Sequence, residues 1–174
     1  MDSVKFLLYV LGRIGVLIAV NLFGAFTAKV LFPALASLVS GSSVAGSFFT
    51  NSTWGSFVGW AVMLIFLAVL FYDDGKRHAA YEIWNSINVT IALIMMLMVY
   101  FIPVIFRDSL NAEGKGKAFY TIVYAPVLWL EEKFGMAHTS AAGLGIGIIL
   151  FILFWVYVIS YKIYLKKHKV LAHG

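Results

Sequence analysis

Residues 72–84 read YDDGKRHAAYEIW, and this stretch decides how the chain is divided into helices. It contains three carboxylates, two cations and a histidine, whereas the runs on either side, 54–71 and 87–106, are almost entirely apolar. Each flanking run is close to the roughly 20 residues that an α-helix needs to cross a bilayer. We therefore expect residues 72–84 to form a water-exposed turn between two membrane-spanning helices. The second helix should begin after Gly75, before it enters the membrane.

The composition of the whole chain supports a membrane protein. Of its 174 residues, 62% are hydrophobic and 12% are charged, and the mean hydropathy is +0.93. Soluble domains carry about 25% charged residues, and no polar segment here approaches the roughly 50 residues of a minimal separate domain. The chain contains no cysteine, which excludes disulfides, thiolate nucleophiles and cysteine-ligated clusters. We expect one integral membrane domain comprising residues 1–174.

Apolar stretches of spanning length predict the remaining helices. We expect transmembrane helices at about residues 4–28, 54–72, 86–106 and 140–164. Two shorter apolar segments, at about 30–39 and 118–134, should lie in the interface, the second alternatively as a re-entrant hairpin broken at Pro126. The predicted fold is thus an all-α integral membrane protein with four transmembrane helices in a bundle and one interfacial or re-entrant helix before the last span.

The distribution of lysine and arginine predicts the orientation, because short cytoplasmic loops carry an excess of both residues. Residues 40–53 have no charge, whereas residues 72–84 contain Lys76 and Arg77 and the C-terminal segment 162–174 is rich in lysine. The loop after residue 106 also carries cations, but its acids balance them. We expect both termini to be cytoplasmic.

One set of side chains in residues 72–84 has metal-ligand spacing. Asp74, His78 and Glu82 are four residues apart, which would place an oxygen, a nitrogen and an oxygen ligand on one helix face, suited to a divalent metal. The alternative is an ordinary helix start, because acid-before-base pairs such as Asp73 with Arg77 stabilise a helix N-terminus. We favour the helix start and expect no metal or other cofactor.

One cation and two amides stand out inside the apolar stretches: Arg13, Asn21 and Asn88. Arg13 lies about 13 Å along its helix, so its side chain either extends back to the nearer surface or has a buried partner. The asparagines are typical of hydrogen bonds between neighbouring membrane helices. No Asp or Glu falls within an apolar stretch, which argues against a proton relay, and the histidines lie at helix ends, which argues against a haem.

Small residues at four-residue spacing indicate close helix contacts, because van der Waals packing joins helices in lipid. Gly55 with Gly59 and Gly143 with Gly147 have this spacing. The C-terminal segment KIYLKKHKVLAHG is basic and should contact anionic lipid headgroups. Its basic surface is too small for nucleic-acid binding.

These patterns favour a non-catalytic accessory or structural subunit that packs against other membrane chains or against its own copies, with Lys76 and Arg77 as cytoplasmic partner contacts. One alternative is a small homo-oligomeric transporter or channel lined by Arg13, Asn21 and Asn88. Another is an interfacial metal-dependent lipid enzyme that uses residues 72–84. In outline the chain resembles the short multi-pass proteins of bacterial plasma membranes, and that resemblance implies no particular function.

Overall fold

The computed structural model describes residues 3–38, 51–81, 86–105 and 121–172, and every regular element in these ranges is helical. The elements are α1 (Ser3–Phe26), a π-helical turn (Thr27–Leu31), α2 (Phe32–Leu38), α3 (Ser52–Ala80), α4 (Ser86–Ile105), a 3-10 turn (Ala125–Val127), α5 (Leu128–Phe134) and α6 (His138–Ala172). The all-α prediction is confirmed for these residues.

Three helical stretches in the described part are long and apolar enough to cross a membrane: Ser3–Leu35, Ser52–Ala80 and His138–Lys166. The apolar part of α4, Ile87–Pro103, is shorter and covers about 25 Å at 1.5 Å per residue, against a hydrocarbon core of roughly 30 Å. The protein is therefore membrane-integral, with fewer clear spans than the four predicted.

The predicted turn at residues 72–84 is wrong for its first nine residues, because α3 continues without interruption to Ala80. Gly75 does not break the helix. It allows α6 to approach, since a Cβ atom on Gly75 would lie 2.6 Å from the Tyr157 carbonyl oxygen. The helix ends where the Tyr81 amide donates to the Arg77 carbonyl, 3.1 Å away, and residues 82–85 lie outside the described ranges.

The first helix also differs from the prediction, which ended it near Ala28 and placed a separate segment at 30–39. The helical path instead continues from α1 into α2 through the π-helical turn at Thr27–Leu31. Pro33 has no amide hydrogen, and its ring would crowd the carbonyl one turn earlier in a regular α-helix. A widened turn just before a proline accommodates both constraints, so the helix continues through this point.

The centre of the molecule is α3, which packs against α1 on one side and α6 on the other, with α4 packed against α1 and α6. Early residues of α1 meet late residues of α3, so the two helices are antiparallel. The side chains between the helices are large, apolar and almost fully buried, including Leu17, Met63, Leu67, Phe71, Met96, Ile149 and Leu153. The outward faces also carry many large apolar side chains, as a membrane-spanning helix requires.

The segment predicted at 118–134 is described from residue 121 and is broken around Pro126, where the 3-10 turn separates residues 121–124 from α5. Its central residues lie inside the bundle: the Ser56 hydroxyl on α3 donates to the Ala125 carbonyl. The Asn21 amide on α1 donates to the Val123 carbonyl at 2.9 Å. The break therefore brings backbone carbonyls within reach of polar side chains on two spanning helices.

Candidate functional site

Five polar side chains from three helices meet inside the bundle, and we call Tyr9, Arg13, Asp74, His78 and Tyr157 the polar cluster. At its centre, Arg13 binds Asp74 through two hydrogen bonds: Nε donates to Oδ2 at 2.7 Å and Nη2 donates to Oδ1. The Tyr9 hydroxyl also donates to Oδ2, at 3.1 Å. Asp74 is only 3% exposed, so the structure buries a fully hydrogen-bonded carboxylate between α1 and α3.

Helix periodicity places these groups opposite one another. Tyr9 and Arg13 are four residues apart on α1, and Asp74 and His78 are four apart on α3, so each pair shares one helix face. The Arg13 guanidinium lies 4.9 Å from the centroid of the Tyr9 ring, within range of a cation–π interaction. The Tyr9 and His78 rings are 5.4 Å apart. The two faces therefore match in charge and in shape.

The α6 helix completes the polar cluster. Nδ1 of His78 lies 2.6 Å from the hydroxyl of Tyr157, whose side chain is fully buried. One turn later, the Ser160 hydroxyl donates to the Tyr72 carbonyl at 2.6 Å. Close approach at Gly75 makes both contacts possible, because α3 and α6 meet there without an intervening side chain. The cluster thus holds three helices together.

The electrostatics of the polar cluster follow from its location. A single charge inside an apolar bundle is costly, and polar groups at that depth face the interior and pair with one another. The bidentate contact cancels both charges, and three donated hydrogen bonds satisfy the Asp74 oxygens. A metal ion at Asp74 would have to compete with Arg13 and Tyr9, which already donate to both of its oxygens. The chemistry that the geometry favours is therefore attachment of one helix to another.

The structure describes two of the three predicted metal ligands. Asp74 and His78 share the polar cluster, while Glu82 lies outside the described residues. Within the described ranges, no group of three or more His, Asp or Glu side chains is arranged to hold a metal. The hypothesis that Glu82 joins Asp74 and His78 stays untested, although both described members already have protein partners.

The three intramembrane polar residues have different environments. Of the two possibilities for Arg13, the structure shows the buried partner, and its side chain is 20% exposed. Asn21 is 5% exposed and bonds the backbone of Val123, whereas Asn88 is half-buried on α4. Arg13 and Asn21 thus direct hydrogen bonds into the chain's own fold.

The predicted partner contacts Lys76 and Arg77 are both exposed on α3. Nζ of Lys76 lies 5.4 Å from the centroid of the Tyr164 ring on α6. Nε of Arg77 lies 2.7 Å from Oδ2 of Asp73, which is the acid-before-base pair expected from the sequence. Neighbouring residues near the end of α3 therefore face different environments. Asp73 and Arg77 face outward, and Asp74 and His78 face the bundle.

The glycines predicted to pack divide into two groups. A Cβ atom on Gly55 would lie 2.9 Å from the Ala28 carbonyl oxygen, and one on Gly59 would overlap the backbone of Gly24. Gly143 is looser, with a Cβ position 3.2 Å from the Phe101 ring. A Cβ on Gly147 would meet no atom within 4 Å in the described part of the chain, so the close contact predicted for it is absent there.

A second group of polar contacts lies at the opposite end of α3. The Glu132 carboxylate accepts hydrogen bonds from Ser52 at 3.1 Å and from Thr53. Nδ1 of His138 lies 2.7 Å from Oε2 of Glu131. These contacts attach the first turns of α3 and α6 to α5, so both ends of the bundle are held by polar side chains.

Tyr9 and Tyr157 are the functional residues that the sequence did not single out. A signal was present, because a lone cation in a spanning helix needs an acidic partner, and Asp74 lies at the end of another apolar stretch. Tyr9 is four residues before Arg13, on the same helix face. No comparable pattern marks Tyr157, whose role depends on how α6 packs.

The chain was compared with protein-family models, with curated proteins and with solved structures, and none of them matches it. Its function therefore has to be inferred from the chemistry of its own residues.

Proposed function

We propose that the protein is a non-catalytic subunit that crosses the membrane four times and packs against partner membrane helices. Support comes from contacts that join the helices of this chain to one another. The Arg13–Asp74 pair and the close contact between Gly24 and Gly59 fasten α1 to α3, while His78 and Tyr157 fasten α3 to α6. Such a unit presents a stable apolar surface to its neighbours.

The observation that carries the proposal is a groove between α4 and α6, which we call the α4–α6 groove. It has a volume of about 490 Å³, and its walls include Ile94, Leu97, Phe151 and Phe154, with Gly147 in its lining. The open space over Gly147 would let the side chains of another helix approach the α6 backbone. Close backbone approach at a small residue is how helices associate in lipid.

The proposed topology has α4 as the fourth crossing and both termini in the cytoplasm. The contact between Lys76 and Tyr164 supports this orientation, because it places the cations of α3 and the lysines of α6 at one end of the bundle. Lysine and arginine collect on the cytoplasmic side. There the exposed Lys166 would contact anionic lipid headgroups. A reporter active only in the cytoplasm should give signal after Gly174 and between residues 82 and 85.

Cysteine cross-linking tests the docking proposal directly, because the chain has no cysteine of its own. Ile94→Cys and Phe151→Cys place a thiol in the α4–α6 groove, and each can carry a photoreactive maleimide in native membranes. Ile65→Cys is the control, since that residue is 61% exposed on the outer face of α3. We expect protein adducts from the groove positions alone, and their mass distinguishes another chain from a second copy. Adducts with lipid only, at all three positions, would contradict the proposal.

A further inference from the structure

A separate cavity lies between α1 and α4, on a different face of α4 from the α4–α6 groove. It has a volume of about 260 Å³, and its lining is almost entirely hydrocarbon. The residues that matter are Ile18 and Asn21 on α1 and Val99 and Pro103 on α4, with Val123 closing one side. Because Ile18 is 49% exposed, the cavity opens toward lipid.

Asn21, one of the lining residues, carries one unusual polar atom. The residue is 5% exposed, and its Nδ2 donates to the Val123 carbonyl at 2.9 Å, which fixes the orientation of the amide. Among the described residues, its Oδ1 accepts no hydrogen bond. A buried acceptor left without a donor is unfavourable, so this oxygen favours a ligand that carries one.

Pro103 supplies a second acceptor. In an α-helix, each carbonyl accepts from the amide four residues later, and proline has no amide hydrogen. The Val99 carbonyl therefore lacks its helical donor, and both Val99 and Pro103 line the cavity. The Asn21 side-chain oxygen and the Val99 backbone oxygen both need a donor. Their residues line opposite walls of one apolar cavity, on α1 and α4.

We propose that this cavity binds the hydroxyl end of an uncharged lipid, with a monoacylglycerol as the simplest example. Its two hydroxyl groups supply the donors that Asn21 and Val99 lack, and the described lining residues offer no counter-ion for a charged headgroup. The volume is below the roughly 300–1,000 Å³ of pockets that enclose a whole drug-sized ligand. The polar end therefore enters, and the acyl chain stays in the bilayer.

The test is equilibrium binding of radiolabelled monooleoylglycerol to the full chain in phosphatidylcholine nanodiscs, whose lipids have no free hydroxyl. We expect saturable binding of one molecule per chain. The diacetate of the same lipid, which has no donor, should bind about tenfold more weakly, as loss of a hydrogen bond implies.

Three variants and one control separate binding from folding. Pro103→Ala restores an amide donor for the Val99 carbonyl and favours a regular helix, so it should weaken binding several-fold in a protein at least as stable as the wild type. Asn21→Leu removes the other acceptor and should weaken binding about tenfold. Ile18→Trp fills the cavity and should abolish binding, while Ile65→Trp, on the outer face of α3, should leave it unchanged.

The proposal is overturned if the lipid and its diacetate bind equally, or if Pro103→Ala binds as the wild type does. Absence of saturable binding overturns it as well.

Discussion

The interface between α1 and α3 and the groove between α4 and α6 are two solutions to packing helices in lipid. The first is closed at both ends, by the Arg13–Asp74 pair at one end and by Gly24 against Gly59 at the other. The second is open, and a Cβ on Gly147 would meet no described atom within 4 Å. Gly55 with Gly59 and Gly143 with Gly147 have the same spacing, so the spacing alone does not show whether a contact forms within the chain.

The difference also separates two physical means of closing an interface. Glycines close it through backbone contact, which depends on shape alone. The polar cluster closes it through hydrogen bonds and charge, which also fix which side chains must face each other. Substitutions at the two ends should therefore change the free energy of unfolding by different amounts. Different second substitutions should restore it.

The largest effect is expected for Asp74→Ala, which leaves the Arg13 charge without its partner inside the bundle. Breaking a buried ion pair costs about 3–5 kcal/mol, and the partial exposure of Arg13 places the loss near the lower end, at about 3 kcal/mol. The free energy of unfolding in detergent micelles measures it. The double variant Arg13→Met with Asp74→Leu contains neither charge and should regain most of the loss. A double variant as unstable as Asp74→Ala would show that the pair is not the cause.

The next prediction compares the substitution of glycine by leucine at Gly59 and at Gly147. Gly59→Leu forces the α1 backbone away from α3 and should cost about 2 kcal/mol, as overpacking does. Gly147→Leu enters open space and should change the free energy of unfolding by less than about 0.5 kcal/mol. Equal losses at the two positions would remove the distinction between the closed interface and the open groove.

A smaller loss than at Gly59 is expected for Tyr157→Phe, which keeps the ring and removes the hydroxyl beside His78. Loss of one hydrogen bond should cost about 1 kcal/mol, and the nitrogen-15 chemical shifts of the His78 ring should change with it. Ser140→Ala, at an exposed position on α6, is the control and should alter neither quantity. Unchanged His78 shifts in Tyr157→Phe would mean that the two side chains do not interact in the membrane.

The sequence predicted the membrane class and the helical content, because hydropathy summed over about 20 residues is a strong signal. It failed at the end of α3, where charges and Gly75 together resembled a turn. Asp73, Lys76 and Arg77 face outward there, whereas Asp74 pairs with Arg13, 61 positions earlier in the chain. That pairing depends on which helices meet, which local patterns do not contain.

The glycine motifs show the same limit of local sequence patterns. The motif at Gly143 and Gly147 is indistinguishable in sequence from the one at Gly55 and Gly59, yet within the described ranges only the latter pair meets backbone atoms of another helix. Sequence spacing identifies a face on which helices can approach. Whether another helix of the chain occupies that face is decided by the connections between helices.

The π-helical turn at Thr27–Leu31 sets the rotational phase of the first helix. Gly24 and Phe32 are eight positions apart, and in a regular α-helix they would point about 80° away from each other, at 100° per residue. The turn accommodates one extra residue and returns about 100°, so that Gly24 and Phe32 both face α3, against Gly59 and Gly55. Deleting any one residue from this turn would restore a regular α-helix with Gly24 and Phe32 seven positions apart, about 20° from alignment, so Phe32 should still face α3.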